Sequence, residues 1–303
     1  MIFEAQQIYK KFPRSSFILD VPQVKLAEGT ITGVVGENGN GKTTLLNIVA
    51  GELHAEGDLI YSGNLAQDHT DWAEIKKRIA FIPQRIPRWY GSLIQNLKLK
   101  AALDGVDAES IEDYLDEILS FLGLMDYKHL KWTEISTGYR LRFELARMLI
   151  GKPELLVLDE PLANLDINTQ QKFLSDLKNI LQDKEYPTAV ILSSQQLHEI
   201  ETVSNQMIFL KKGKAVFSGS MNELGGKETS HVYEVQPEHS DREKFLNFLA
   251  ANEYTYGSSG EYLQVKVEGD SDAKDFLKSL INEDIAIRYY RNISQSTKRL
   301  FHE

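Results

Sequence analysis

Apolar and polar positions alternate in blocks along most of the chain, and the blocks predict strands and helices in turn. Thr30 to Val35 has the pattern of a buried strand, and Thr44 to Ala50 that of a helix. Leu155 to Leu158 is a continuous apolar run, typical of a parallel strand buried on both faces. A helix over Thr169 to Leu181 and a strand over Thr188 to Leu192 repeat the alternation. The order predicts an α/β domain around a parallel sheet.

A helical stretch interrupts this alternation after a strand at residues 78–82. Residues 93–131 read as helical, with apolar positions at helical spacing among acidic ones: Ile111, Leu115, Ile118, Leu119 and Leu122. Gly123 marks a helix end, and Ser136 is a good N-cap for a further helix that stops before Gly151. We therefore predict a helical insertion over about residues 85–150.

The last part of the chain has a different organisation. Residues 206–218 predict a hairpin that turns at Lys212-Gly213, and polar residues around 222–230 then suggest a domain boundary. We accordingly expect one domain over residues 1–224 and a second over 225–303. Strand and helix patterns in the second domain follow the order βαββαβ, which predicts a small α+β domain of the ferredoxin-like arrangement.

The strongest chemical signal is a nine-residue stretch between the first predicted buried strand and its helix. It fits the phosphate-loop pattern G-x-x-x-x-G-K-[ST] and comprises Gly36, Glu37, Asn38, Gly39, Asn40, Gly41, Lys42, Thr43 and Thr44. The glycines let backbone N–H groups curl around a polyphosphate, Lys42 can reach the β- and γ-phosphates, and the Thr43 hydroxyl can bind Mg²⁺. A glycine-rich turn that merely carries a lysine would not require the flanking strand and helix.

Composition narrows the class of partner. The 303 residues contain 44 Asp and Glu against 34 Lys and Arg, a net charge of −10, so nucleic acid receives no general electrostatic attraction and we predict no nucleic-acid partner. The absence of cysteine excludes disulfides and cysteine-bound metals. The amino terminus is not a signal peptide, and no apolar run is long enough to cross a bilayer.

Several separate motifs follow each other in a fixed order: the phosphate loop, Gln84 after a strand, Ser136-Thr137-Gly138 at a helix start, and Asp159-Glu160 after an apolar strand. Over residues 1–224 this order resembles the ATP-binding subunit of an ABC transporter. The resemblance implies an α/β P-loop NTPase core with a helical insertion, and ATP hydrolysis with ATP and Mg²⁺ as cofactors.

The resemblance also implies roles for individual residues. Phe12 would stack on adenine, Gln84 would contact Mg²⁺ and the attacking water, and Asp159 would hold Mg²⁺ together with Thr43. Glu160 would be the general base. Ser136 and Gly138 would bind the γ-phosphate held by a second copy, and Leu165-Asp166 would join the two active sites.

The expected assembly follows from those roles. It is an ATP-dependent, head-to-tail homodimer on the cytoplasmic face of a membrane, bound to an integral-membrane transporter subunit, with export as the expected direction. Arg85 to Gly91 is where such a subunit would dock, and its aromatic residues read equally as a docking patch or as insertion core. The C-terminal domain would regulate or steady the dimer, or be a small packing domain.

This chain departs from the family pattern at two places. Thr137 and Tyr139 replace a glycine and a glutamine around Ser136 and Gly138. Gln195 stands where the family has a histidine that contacts the γ-phosphate, and His198 should not substitute for it. A neutral amide cannot become a cation, so we expect a working but slower ATPase. The alternatives are a soluble ABC ATPase of a cytosolic complex and an ATP-sensing adaptor with little hydrolysis.

Overall fold

The chain divides into two compact units in a computed structural model, Met1–Gly219 and Ser220–Glu303. The structure describes residues 1–62, 64–66, 72–182, 188–220, 230–259, 261–268 and 273–292. The predicted domain boundary falls almost entirely on residues 221–229, which lie outside the described residues. Each unit has an apolar core of its own.

The strands of the first unit form one sheet. Its ten described strands are β1 (Phe3–Lys11), β2 (Ile18–Leu26), β3 (Ile31–Val35), β4 (Glu56–Tyr61), β5 (Asn64–Ala66), β6 (Ile79–Ile82), β7 (Leu155–Leu158), β8 (Ala189–Ser194), β9 (Gln206–Lys211) and β10 (Lys214–Ser220). Their order across the sheet is β5-β4-β1-β2-β10-β9-β3-β8-β7-β6. Lys212 and Gly213 join β9 to β10 with φ of 50° and 80°, as a two-residue hairpin turn requires.

The parallel half of this sheet carries the later argument. β3 pairs in parallel with β9 and β8, β8 with β7, and β7 with β6. Every residue of β3 and β7 is buried, which explains the continuous apolar run of β7 and the buried-strand pattern of β3. Because the strands are parallel, their carboxyl ends meet at one edge of the sheet.

Seven described helices belong to the first unit: α1 (Lys42–Val49), α2 (Trp72–Lys77), α3 (Leu93–Leu103), α4 (Ile111–Phe121), α5 (Thr137–Leu149), α6 (Ile167–Gln182) and α7 (Leu197–Ile200). The predicted helical stretch over 93–131 is in fact α3, α4 and a short 3-10 turn at Met125–Tyr127. Gly105 and Gly123 interrupt it, with φ of 81° and 60°. These left-handed conformations end a helix, and glycine adopts them without a Cβ penalty.

The second unit has the predicted ferredoxin-like arrangement. Its elements are β11 (Ser230–Pro237), α8 (Arg242–Ala251), β12 (Thr255–Ser259), β13 (Tyr262–Glu268), α9 (Ala273–Asn282) and β14 (Ile287–Asn292). The sheet order is β12-β13-β11-β14, and every neighbouring pair is antiparallel. Its core includes Tyr233, Val235, Phe245 and Phe276.

None of the helices in the described ranges combines the length and the apolar character needed to cross a bilayer.

Candidate active site

The predicted phosphate loop joins the buried strand β3 to α1. Gly39 and Gly41 have φ of 81° and 98°, a conformation that other residues rarely adopt. Gly36 has a different reason to lack a side chain, because a Cβ there would lie 2.5 Å from the Leu210 carbonyl oxygen. The backbone therefore makes a tight turn directly before a helix N-terminus, where N–H groups favour an anion.

Lys42 lies inside this turn. Its side chain is 4% exposed, and its Nζ donates to the carbonyl oxygens of Gly36 at 2.8 Å and Glu37 at 3.3 Å. The same Nζ lies 3.1 Å from Oε1 of Glu160. A buried ammonium is thus held at the loop by backbone oxygens and one carboxylate.

Asp159 and Glu160 directly follow β7, which is separated from β3 by β8 in the sheet, and their side chains contact residues of the loop. Thr43 Oγ1 donates to Asp159 Oδ2 at 2.8 Å. The Asp159 N–H donates to the Ile82 carbonyl of β6 at 2.9 Å. Asp159 and Glu160 are 2% and 7% exposed, so two carboxylates lie buried beside one lysine.

Two glutamines complete the surroundings of Glu160. Gln84, after β6, and Gln195, after β8, each donate an Nε2 hydrogen bond of 2.8 Å to Glu160 Oε2. The structure therefore brings together six of the predicted site residues: Lys42, Thr43, Gln84, Asp159, Glu160 and Gln195. They come from the start of α1, which follows the loop after β3, and from the carboxyl ends of β6, β7 and β8, the edge where open α/β sheets bind ligands.

The donor set of this cluster suits Mg²⁺. Thr43 and Asp159 offer a hydroxyl and a carboxylate oxygen at one point, and oxygen is the ligand atom that Mg²⁺ prefers. No group of three or more His, Cys, Asp or Glu side chains able to hold a metal occurs in the described part of the chain. Mg²⁺ is usually bound by one or two carboxylates plus substrate phosphates, and Thr43 with the single carboxylate of Asp159 agrees with this mode of binding.

Ser136 and Gly138 lie at the start of α5. Ser136 is the N-cap, and its exposed hydroxyl accepts a 3.4 Å hydrogen bond from the Tyr139 N–H. Gly138 is buried, and a Cβ there would approach Thr169 Cγ2 to 2.2 Å. Close packing of α5 on α6 is therefore one reason for this glycine.

Hydrogen bonds close to Ser136 and Gly138 shift the pKa values of two side chains, Asp166 and Tyr139. The hydroxyl and backbone N–H of Thr169 hydrogen-bond Asp166 and lower the pKa of its carboxyl. The hydrogen bond between the Tyr139 and Tyr127 hydroxyls, 2.7 Å long, raises the pKa of Tyr139. Tyr139, which replaces the family's glutamine, is thus tied to the helical region by its hydroxyl and by a ring contact of 4.2 Å.

The predicted adenine-stacking residue lies in the turn after β1. Phe12 is half-buried, and the Lys10 ammonium is 5.7 Å from its ring centroid. A different aromatic residue touches the phosphate loop: a Cβ on Gly41 would be 2.7 Å from Phe17 Cζ. Sequence reasoning did not select Phe17, whose only signal was an aromatic side chain five residues after Phe12.

The aromatic residues after Gln84 divide between the two interpretations. Trp89 is 7% exposed, stacks on Trp132 at 4.9 Å, and donates its Nε1–H to Glu144 Oε2 at 3.0 Å. Tyr90 is 80% exposed. Trp89 therefore belongs to the core of the helical region, whereas Tyr90 is a surface residue with the Arg88 guanidinium 5.8 Å from its ring centroid.

Sequence reasoning also missed Ser193, the fifth residue of β8. Its Oγ donates to Asp159 Oδ1 at 2.8 Å and accepts from the Glu160 N–H at 2.9 Å. The parallel register pairs Leu158 with Leu192, which brings the next residues, Asp159 and Ser193, alongside each other. The signal in the sequence was a hydroxyl at the carboxyl end of a buried strand.

The fold and the loop define the class of protein. A phosphate loop between a buried parallel strand and a helix, with an Asp-Glu pair at the same edge of the sheet, is the architecture of a P-loop NTPase.

Comparison with known proteins narrows this class. A family model described as ABC transporter matches residues 19–163. The chain is 31% identical over 209 residues to the tungstate uptake system ATP-binding protein TupC of Peptoclostridium acidaminophilum, covering 68% of this chain and 92% of that protein. It is 29% identical over 290 residues to YdbJ, an ABC transporter ATP-binding protein of Bacillus subtilis, covering 95% and 90%.

Solved structures agree in fold. The structure of cbiO1 from Clostridium perfringens, part of the ABC transporter complex cbiONQ, has a TM-score of 0.68 at 20% identity, covering 75% of this chain and 91% of that one. The dimeric post-hydrolysis structure of the ATP-binding cassette MJ0796 with ADP and Pi has a TM-score of 0.62 at 21% identity, covering 72% and 98%.

The chain belongs to the family of ABC transporter ATP-binding proteins. It is the ATP-binding subunit of such a transporter, with ATP and Mg²⁺ as cofactors. As a family these ATPases hydrolyse ATP, dimerise and work with a membrane subunit.

Proposed function

We propose that this chain hydrolyses ATP with Glu160 as the general base and so powers a separate membrane subunit. One observation supports the assignment above the others: Lys42, Asp159 and Glu160 are buried together at the phosphate loop, with Gln84 and Gln195 on the same Glu160 oxygen. Buried, mutually contacting charges in a ligand-binding edge are typical of catalytic sites.

The first step is an exchange of partners at Lys42. Its ammonium pairs with Glu160 Oε1 at 3.1 Å, and a triphosphate in the loop would compete for that ammonium. Once Lys42 turns to the phosphates, Glu160 Oε1 is free to accept a proton from water. Substrate binding therefore also exposes the base.

Hydrolysis then needs one proton acceptor and two positioning amides. Glu160 takes the proton of the attacking water, whose oxygen forms the new bond to the γ-phosphorus. The bond from that phosphorus to the bridging oxygen breaks, and ADP keeps the electron pair. Gln84 and Gln195 orient the Glu160 carboxylate and the water. Thr43 and Asp159, together with Gln84, would hold Mg²⁺, which would neutralise phosphate charge.

A second copy completes the site in this proposal. Ser136 is the N-cap of α5 and Gly138 lies in its first turn, and the N-terminus of a helix attracts phosphate. They would bind the γ-phosphate held by the loop of the opposite subunit, which gives a head-to-tail dimer that forms with ATP and separates after hydrolysis. Leu165-Asp166 would lie between the two sites, and Phe12 would stack on adenine.

The membrane partner would dock near Tyr90, the exposed aromatic residue of the segment after Gln84. The ATPase would then lie on the cytoplasmic face of the membrane.

The direction of transport is a separate question. TupC is named an uptake protein but aligns with 68% of this chain, whereas YdbJ aligns with 95% and therefore also with the C-terminal unit. Because C-terminal extensions of this kind occur on several exporter-type ATPases, export is the proposed direction; transport of a labelled substrate into inside-out vesicles would test it.

One observation favours a second candidate, an ATP-sensing adaptor that dimerises with little hydrolysis. Gln195 is a neutral amide bound to Glu160, and it cannot supply a cation to the γ-phosphate. The two candidates differ in turnover, which phosphate release with Mg-ATP measures directly. Sustained release at more than one phosphate per site supports the ATPase.

The test of the proposed base is Glu160→Gln. Phosphate release should fall at least about 100-fold, because general-base catalysis contributes roughly that much or more. The variant should also accumulate as an ATP-bound dimer, measured by size-exclusion chromatography with light scattering. Glu154→Gln is the matched control, since Glu154 lies just before β7 and pairs with Arg78 instead. Normal turnover by Glu160→Gln would remove Glu160 from this role.

A further inference from the structure

Ser193 makes two hydrogen bonds that join the catalytic carboxylates. Its hydroxyl donates to Asp159 Oδ1 at 2.8 Å, and its oxygen accepts from the Glu160 N–H at 2.9 Å. The residue is 0% exposed, so water does not compete for either bond. One hydroxyl therefore touches both the side chain of the expected metal-binding residue and the backbone of the expected base.

The hydrogen bond from Ser193 to Asp159 helps to hold the Asp159 carboxylate in one orientation. Thr43 Oγ1 donates to Asp159 Oδ2 and Ser193 Oγ to Oδ1, so each carboxylate oxygen has one hydroxyl donor. Two donors on opposite oxygens hold the plane of the group. If the Thr43 hydroxyl were bound to Mg²⁺ instead, the Ser193 hydrogen bond would remain to orient Asp159.

The bond to Glu160 supports an unusual backbone. Glu160 has φ of 47°, in the left-handed region that costs a residue with a Cβ about 1 kcal/mol. Such a conformation persists only when its surroundings hold it. The Ser193 oxygen accepts the N–H of this residue and so fixes the peptide group between Asp159 and Glu160.

We propose that Ser193 is a positioning residue for ATP hydrolysis: it sets the angle between the Asp159 carboxylate and the Glu160 side chain. This inference rests on the proposed roles of Asp159 and Glu160. It predicts a defect in the chemical step and in the use of Mg²⁺, while nucleotide binding by the phosphate loop is kept.

The test compares the Ser193→Ala variant with the wild-type protein, both as the full-length chain. The kcat for ATP should fall about 10- to 100-fold, the usual effect of removing a partner that orients a metal-binding side chain. The KM for ATP should change less than threefold, and the Mg²⁺ concentration for half-maximal rate should rise. Ser193→Thr keeps the hydroxyl and should regain at least part of kcat.

Thr32→Val is the matched control for loss of a buried hydroxyl. Thr32 lies on β3, is 1% exposed, and its Oγ1 has no hydrogen-bond partner among the described residues. Its replacement should leave kcat and the Mg²⁺ dependence unchanged. Thermal unfolding of each variant separates lost catalysis from lost folding.

The outcomes separate this inference from the proposed function. A folded Ser193→Ala with wild-type kcat and Mg²⁺ dependence overturns the positioning role, even where Glu160→Gln abolishes hydrolysis. If Ser193→Ala does not fold, Ser193→Cys replaces it in the test, because the thiol fills the same space but is only a weak hydrogen-bond donor. A wild-type kcat in Ser193→Cys would likewise overturn the positioning role. A wild-type protein that hydrolyses no ATP refutes the proposed function itself.

Discussion

At the scale of single residues, the carboxylate of Glu160 is the most constrained group of the site. It receives an ammonium on one oxygen and two amides on the other, while its backbone is left-handed. Gln195 is one of the two amide donors, so the residue that departs from the family pattern directly contacts the expected base. Its chemistry should therefore be visible in the rate.

Replacing Gln195 by histidine tests this contact. Gln195→His should raise kcat about tenfold, because hydrogen bonds involving a charged group are stronger than neutral ones by about 1 kcal/mol or more. Steady-state phosphate release measures the change. His198→Gln, an exposed position three residues on, is the control and should have no effect. A rate that is unchanged or lower in Gln195→His would show that the amide does not limit turnover.

At the scale of elements, one buried ion pair ties the helical region together. Arg142 of α5 donates its Nε–H to Asp176 Oδ2 of α6 at 2.7 Å, and an Nη2–H to the Leu122 carbonyl after α4. The two side chains are 8% and 2% exposed. Because Ser136 is the N-cap of α5, this pair also helps to fix the position of the helix end that is expected to bind phosphate.

Breaking the pair should destabilise the first unit. Asp176→Asn leaves a buried guanidinium without its counter-charge, and the free energy of unfolding should fall by about 3 kcal/mol. Urea titration followed by circular dichroism measures it. Lys172→Met is the control, since Lys172 is 59% exposed and 3.8 Å from the same carboxylate. The double change Arg142→Met with Asp176→Leu should recover most of the loss, and no recovery would contradict this account.

At the scale of the whole molecule, the chain consists of two units with separate apolar cores. The proposed catalytic residues all lie in the first unit. YdbJ aligns over 95% of the chain, so a second unit of this kind is not peculiar to this sequence. These facts favour a role for the C-terminal unit in assembly rather than in the chemical step.

Removing residues 230–303 tests that role. The truncated chain should fold, because its core is independent of the deleted residues, and should bind ATP normally. Dimerisation of the Glu160→Gln form in Mg-ATP should weaken about tenfold, or roughly 1.4 kcal/mol, if the unit steadies the dimer. Analytical ultracentrifugation measures this. Unchanged dimerisation, ATPase rate and partner binding would identify it as a small packing domain.

Local patterns in the sequence were sufficient for the main elements and for the phosphate loop. Glycine positions, apolar runs and helix caps act over a few residues, so β3, β7, α1, α5 and the βαββαβ order of the second unit could be predicted. Family likeness extended this to Gln84, Asp159, Glu160 and Gln195, which the fold does bring together. The helix end at Gly123 was also predicted, whereas the strand register and the break at Gly105 were beyond such patterns.

Tertiary structure alone decided the contacts between distant residues. Thr43 meets Asp159 across 116 positions, and Ser193 meets Asp159 across 34, because parallel strands bring their carboxyl ends to one edge. The left-handed backbone of Glu160 and the burial of Trp89 beside the exposed Tyr90 likewise depend on what surrounds them. The sequence by itself determined which chemical groups the site contains; packing decided which of them touch, because a hydrogen bond depends on positions in space and not on spacing along the chain.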